Sequence, residues 1–485
     1  MAIAFNDSRR DFRNRSLFLV DAPEITVTSE PGFKMRGLRS TGIMLVLFLA
    51  LGSYAYFIES ERPPDSEADI NEQALDIESD AILSLSVTTR NGDGTRLNRD
   101  GDEGNWTVVE PFVATADNNA VSAIADGLES LEIRRVVEEA PSDLSPFGLD
   151  QPTVSIELST GSDSGSLTLA VGDETPTGGH RYATLTGSDR VFLIASAVEA
   201  TFNRNSFELR DRSLLEFIGP DVTGFSVENN ETEIRFEKAD GNWRIVSPLD
   251  ARADFGVTEG LLGRVGSAEM VGVERESYDT DEEIEPFGLV NPRMTVTVDA
   301  GNSKHVLLVG TEGSDGTIFA RDGSRDVIFT MDAALVDDLD REPSVYRKKE
   351  VFDFRPFNAT AISLLRDGTE TSFEKSPPED GEDTGETWQQ VAPEFGDTDQ
   401  ATIEELLSTL STLRAESFVQ TQVDTGIDTP LAVVTVSFGE GQEERVTIGR
   451  AGETTYVTHG NEPGAAVVDS ASVDSALDAL STSTP

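Results

Sequence analysis

Apolar and polar positions alternate along this chain in short runs, and the runs recur. Val154, Ile156 and Leu158 alternate with Thr153, Ser155 and Glu157; Met294, Val296 and Val298 follow the same rhythm, as do Val434, Val436 and Phe438. A period of two predicts strands with one buried and one wet face. Between such runs the spacing changes to three and four. Val121, Ile124, Leu128 and Leu131 form one set, Val257, Leu261 and Val265 a second, and Ile403, Leu406, Leu410 and Leu413 a third. Each set falls on one face of a helix, so three amphipathic helices are predicted. The stretch "TEIRF" followed by an Asp-Gly turn reads as a hairpin.

One run has no polar face at all. Thr41–Ile58 holds 18 residues without a charge, about 27 Å of helix and close to a bilayer's hydrocarbon core. Lys34, Arg36 and Arg39 precede it, and Glu59, Glu61, Asp65 and Glu67 follow. The basic flank belongs on the cytoplasmic side, which places the C-terminal bulk beyond the inner membrane, in the periplasm. Tyr54 and Tyr56 stand near the outer end, where aromatic rings lie at the interface. The stretch "GSYAYFIES" is a poor cleavage site, which favours an uncleaved signal-anchor over a signal peptide. Residues 1–34 show no clear period and read as a disordered or misassigned leader, with Met35 as a candidate natural start. The anchor is assigned to 35–60 and a linker to 61–79.

The remainder repeats itself. Trp106, Trp243 and Trp388 are the only tryptophans, and each has a proline five positions on: Pro111, Pro248 and Pro393. A helical run follows each proline. Then comes "PFGLDQP", "PFGLVNP" or the altered "DTGIDTP", in which Gly148, Gly288 and Gly426 precede Pro152, Pro292 and Pro430 by four residues. Glycine permits a positive φ and proline fixes its own, so a rigid turn is expected, with the following Leu or Ile plugged into the core below. Further strands end at Gly172, Gly310 and Gly449 before a last hairpin and a short helix. Three tandem units result, at 80–217, 218–354 and a diverged 355–485, each α+β with an antiparallel sheet and a covering helix. Arg210 and Arg212 after the first unit match Arg347 and Lys349 after the second, so these four are candidate inter-unit joints.

Composition adds constraints. The formal charge is -51, from 89 acidic and 38 basic residues, with six lysines beside 32 arginines. Such a surface repels phosphate backbones, and no basic stripe offsets it, so nucleic acid is excluded as a partner. There is no cysteine, hence no disulfide, thiolate metal site or lipidated Cys. His180, His305 and His459 lack ligand spacing and any companion motif. "NRDGDEGN" fails as a calcium loop, with Glu103 where glycine is needed. "GSDSG" has Asp163 in the nucleophile's place, and no phosphate-binding loop occurs. No catalytic, cofactor-binding or metal residue is assigned. The island "YRKK" reads as an inter-unit bridge.

The order of "YAYFIE", "GNW…P", "PFGL-x-x-P", "VG" and "LRDRSLL" resembles the domain of unknown function 4340 family over most of residues 35–485. The third unit departs from that pattern, lacking the "PFGL" form. The resemblance implies a membrane-tethered extracytoplasmic component of the kind encoded beside ABC transport systems of the gliding-motility type, with no catalytic residues to carry over. The expected function is therefore a non-enzymatic scaffold or interaction protein, auxiliary to a transport or envelope complex and bound to the cytoplasmic membrane through 41–58. A tethered ligand-binding protein using an inter-unit cleft is the alternative. An envelope hydrolase would need a carboxylate pair unique to one unit.

Overall fold

The computed structural model describes residues 72–100, 104–161, 165–376 and 386–482. The expected leader, Met35, the anchor at 41–58 and the linker up to residue 71 lie outside them. Among the described residues no helix is long and apolar enough to cross a membrane.

The alternating runs of each repeat join one nine-stranded antiparallel sheet, and all three sheets share a strand order. In the first, Ala114–Thr115 forms one edge. Trp106–Glu110, Gly94–Arg99 and Ser84–Thr89 follow inward, and Ser84–Thr89 pairs with Val154–Ser159 at the centre. Ser166–Glu174, His180–Leu185 and Val191–Ala195 continue outward to Arg135–Glu138 at the far edge. The same central pairing joins Val222–Asn229 to Met294–Ala300 and Ala359–Arg366 to Ala432–Phe438. The altered third repeat therefore keeps the topology of the other two.

The helix of each repeat runs from one sheet edge to the other. Asn118–Glu129 links Ala114–Thr115 to the far side of its sheet, and Phe255–Ser267 and Gln400–Ser411 do likewise. Each starts behind an aspartate N-cap: Asp117, Asp254 and Asp399 accept backbone N–H groups of the first turn. The apolar stripe then packs on the sheet. Val121, Ile124 and Leu128 are buried in the first, Leu261 and Val265 in the second, and Ile403, Leu406 and Leu410 in the third. Val257, expected on the second stripe, is 38 % exposed. Each repeat has its own main core cluster.

The glycine-proline turn, whose sequence pattern predicts a Leu or Ile plugged into that core, does not feed it. It lies on the opposite face of the sheet. Leu289, which follows Gly288, packs with Ile284 and Ile328 in a separate small cluster, flanked by Tyr278 and Phe287.

The first repeat also begins earlier than residue 80. Glu72–Gln73 pairs with Glu132–Ile133, Leu75 is buried in the core, and a 3-10 turn at Ser79–Ala81 leads into the sheet. The chain enters the other repeats through the same form: Leu215 and Phe352 are buried, and 3-10 turns lie at Gly219–Asp221 and Pro356–Asn358. An entry arm thus belongs to every repeat.

Candidate functional site

The repeat positions singled out by sequence are architectural. Trp106, Trp243 and Trp388 are buried. Each has a cation from the paired strand over its ring: Arg99 at 5.6 Å, Lys238 at 5.2 Å and Lys375 at 5.5 Å. Such contacts stabilise by about 0.5–1 kcal/mol at partly exposed sites. The cation ends "RLNR", "RFEK" and "SFEK", so the contact is marked three times in the sequence. Pro111, Pro248 and Pro393 all follow cis peptide bonds.

Gly148, Gly288 and Gly426 have φ of 66°, 70° and 76°, in the left-handed region that favours glycine. Their partners are Gly172, Gly310 and Gly449. A Cβ on Gly172 would overlap the Phe147 carbonyl, one on Gly310 the Phe287 carbonyl, and one on Gly449 the backbone at Gly426. The two glycine motifs therefore form one contact, in which the turn backbone lies directly on the strand. Pro152, Pro292 and Pro430 stand one residue before the strand entry, where Thr153, Arg293 and Leu431 donate N–H groups to Val171, Val309 and Ile448.

The joints are built alike. Asp211 N–H donates to the Thr115 carbonyl, and Leu209 accepts from Asp117 N–H, so the segment docks on the first repeat's edge. Lys348 N–H and the Tyr346 carbonyl make the matching bonds to Arg252 and Asp254 in the second. Farther on, Arg212 and Lys349 offer carbonyls to Met270 and Ala415 of the next repeat. Arg212 also pairs with Glu269 at 2.9 Å. Arg210 is buried, lies 4.4 Å over the Phe112 ring and bonds both Glu276 oxygens at 2.9 and 3.0 Å. Arg347 is likewise buried, 4.2 Å over Phe418 and 3.5 Å from Glu462.

At the first joint two carboxylates meet. The hydrogen bond with Asp211, reinforced by burial and the Asp211 charge, pushes Glu216 up to about 7. Burial opposes ionisation of Asp211, but bonds from Glu216 and Ser213 and the nearby Arg325 outweigh it and hold Asp211 low.

The second joint gathers a dense polar cluster. Arg252 bonds Glu462 at 2.9 Å and Asp353 at 3.2 Å, Lys348 pairs with Asp353, and Asp353 N–H donates to both Glu444 oxygens at 2.8 Å. His459 completes a set with Asp353 and Glu444 whose donor atoms lie within 4.8 Å of one another. Burial, then Arg252, pushes His459 down to about 4, leaving it neutral at ordinary pH, and its Nε2 has no hydrogen-bond partner. Burial raises Glu444, while Arg252 and Lys348 hold Asp353 low against its burial.

Two oxygens and an imidazole could ligate a transition metal. The charges are already balanced, however. Arg252, Arg347 and Lys348 face Asp353, Glu444 and Glu462, three cations against three anions. A divalent ion would have to displace Arg252 and Lys348 from Asp353. The adjoining cavity holds about 20 Å³. The arrangement fits a clamp between repeats better than a metal centre. His180 and His305 lie in the sheets of the first and second repeats, apart from it. Sequence spacing could not reveal this cluster, because Arg252 and Glu462 are 210 positions apart.

The family model described as domain of unknown function, DUF4340, matches residues 106–242 and 243–430. This chain belongs to the DUF4340 family. No curated protein matches the DUF4340 chain. A solved structure from Bacteroides uniformis, described as a putative 6-phosphogluconolactonase, aligns at 8% identity over 79% of this chain and 83% of its own. Its TM-score of 0.07 carries no argument about the fold or activity of the DUF4340 chain.

Proposed function

We propose that this DUF4340 protein is a non-catalytic extracytoplasmic scaffold, held to the cytoplasmic membrane by residues 41–58 and auxiliary to an ABC-type transport or envelope complex. The observation that carries the reading is the use made of Glu216 and His459, the two groups shifted furthest among the described residues, and of the carboxylates beside His459. Glu216, Asp353, Glu444 and His459 all lie at joints between repeats, engaged by neighbouring charges and backbone groups. They hold modules in register, and the cavity beside His459 at the second joint holds only about 20 Å³. The apolar run with its basic leading flank supplies the tether.

A ligand-binding role has one observation in its favour, a groove of about 510 Å³ between Asn118–Glu129 and Val198–Phe202 of the first repeat. That volume suits a small molecule. The cavity at the second joint does not.

Because the chain has no cysteine, a single introduced thiol reports topology cleanly. Asn302→Cys, in an exposed turn of the second repeat, should react with a membrane-impermeant maleimide applied from the extracytoplasmic side. Protection until the inner membrane is opened would overturn the orientation. Affinity capture in mild detergent should recover transporter subunits; capture of the chain alone would overturn the auxiliary role.

A further inference from the structure

We propose that the outer edge of Gly396–Asp397 in the third repeat receives an extended basic segment of a partner protein. The proposal rests on the scaffold reading and names its docking surface.

The first two repeats show how such an edge is used. Each presents two outward backbone groups beside its helix N-cap: the Thr115 carbonyl with Asp117 N–H, and the Arg252 carbonyl with Asp254 N–H. An extended joint segment satisfies both pairs in the same antiparallel way, bridging Ala116 to Arg210 and Ala253 to Arg347. The matching groups of the third repeat are the Asp397 carbonyl and Asp399 N–H. Among the described residues no backbone segment bonds them. An unpaired edge of this kind templates strand addition.

Three side chains mark the same place. Thr398 stands where the other repeats have Ala116 and Ala253, and its hydroxyl is buried without a hydrogen-bond partner. Glu394 occupies the position of Phe112, the residue under the Arg210 guanidinium. Phe395 is 74 % exposed beside it. An incoming arginine would meet a carboxylate and an aromatic face together. The seated segments are themselves basic, "LRDR" and "YRKK" in an otherwise acidic chain, and Glu394, Asp397 and Asp399 give the open edge the complementary charge.

The test uses the full chain in detergent and a labelled peptide copying Val345–Phe352, "VYRKKEVF", read by fluorescence anisotropy. Saturable binding is expected. N-methylation of the backbone nitrogen at the peptide position of Lys348, which removes the N–H used at the second joint, should weaken binding about tenfold, the scale of one lost backbone hydrogen bond with its acceptor left unpaired. Asp397→Lys in the chain should weaken it comparably. The modified peptide leaves the protein untouched, so loss of fold in the variant does not confuse the result. Absence of saturable binding, or binding indifferent to both changes, would overturn the proposal. Self-association of the chain abolished by Asp397→Lys would replace the partner with a second copy. Failure here alongside recovery of transporter subunits would overturn this edge alone and leave the scaffold reading standing.

Discussion

Gly310 and Gly316 illustrate how differently two glycines of one repeat are used. A methyl on Gly310 would run into the Phe287 carbonyl, whereas the space around Gly316 is open. Gly310→Ala should cost about 1–3 kcal/mol through overpacking against backbone that cannot yield, seen as a lower denaturant midpoint. Gly260 and Gly263 lie in the helix Phe255–Ser267, with open space where a methyl would project and φ outside the left-handed range. Alanine at either should stabilise by about 0.5–1 kcal/mol. Two residues give opposite pH signatures. His459 titrates near 4 when folded, against 6.5 as its ordinary value. The unfolded chain therefore takes up that proton first, and stability falls as pH drops from 6.5 toward 4. Glu216, raised from 4.5 to about 7, contributes fully below 4.5 and loses its contribution as pH rises through 7. In thermal melts across this window, His459→Gln should flatten the acid-side loss and Glu216→Gln the loss toward neutrality. A melting curve unchanged by either substitution would contradict these assignments.

At the level of elements, local signals were legible and distant pairings were not. The spacing of Ile403, Leu406 and Leu410 specifies a helix face, and the alternation of Met294, Val296 and Val298 a strand, because both patterns are written in neighbouring residues. The pairing of Ser84–Thr89 with Val154–Ser159, which merges two hairpin groups into one sheet, joins segments about 70 residues apart in the register and has no local mark. The same holds for the glycine-proline turn: its conformation was readable from Gly288, its seat on the opposite sheet face was not. At the joints Arg347 and Arg210 were recognisable from their matching positions, but Glu462 and Glu276, which receive them, were not. A double-mutant cycle of Arg252→Ala and Glu462→Ala should show coupling of about 0.5–3 kcal/mol, since the pair is largely buried and hydrogen-bonded. Additive effects would mean that the clamp is not cooperative.

At the scale of the whole molecule, the chain carries its own internal comparison in the threefold repetition. It separated residues that recur from residues that do not, and nearly all prominent ones recur. What escaped was the polar cluster at the second joint, assembled from Arg252, Asp353, Glu444, His459 and Glu462, because only one of the two joints carries it. The entry arm has a practical corollary for dissecting the protein. The two segments matched by the family model meet between Asn242 and Trp243, inside the strand Asn242–Ser247. A fragment cut there would split a hairpin and leave its halves on separate polypeptides. Cutting ahead of Arg212, so that the downstream piece keeps its own arm, leaves every ladder of the second sheet whole.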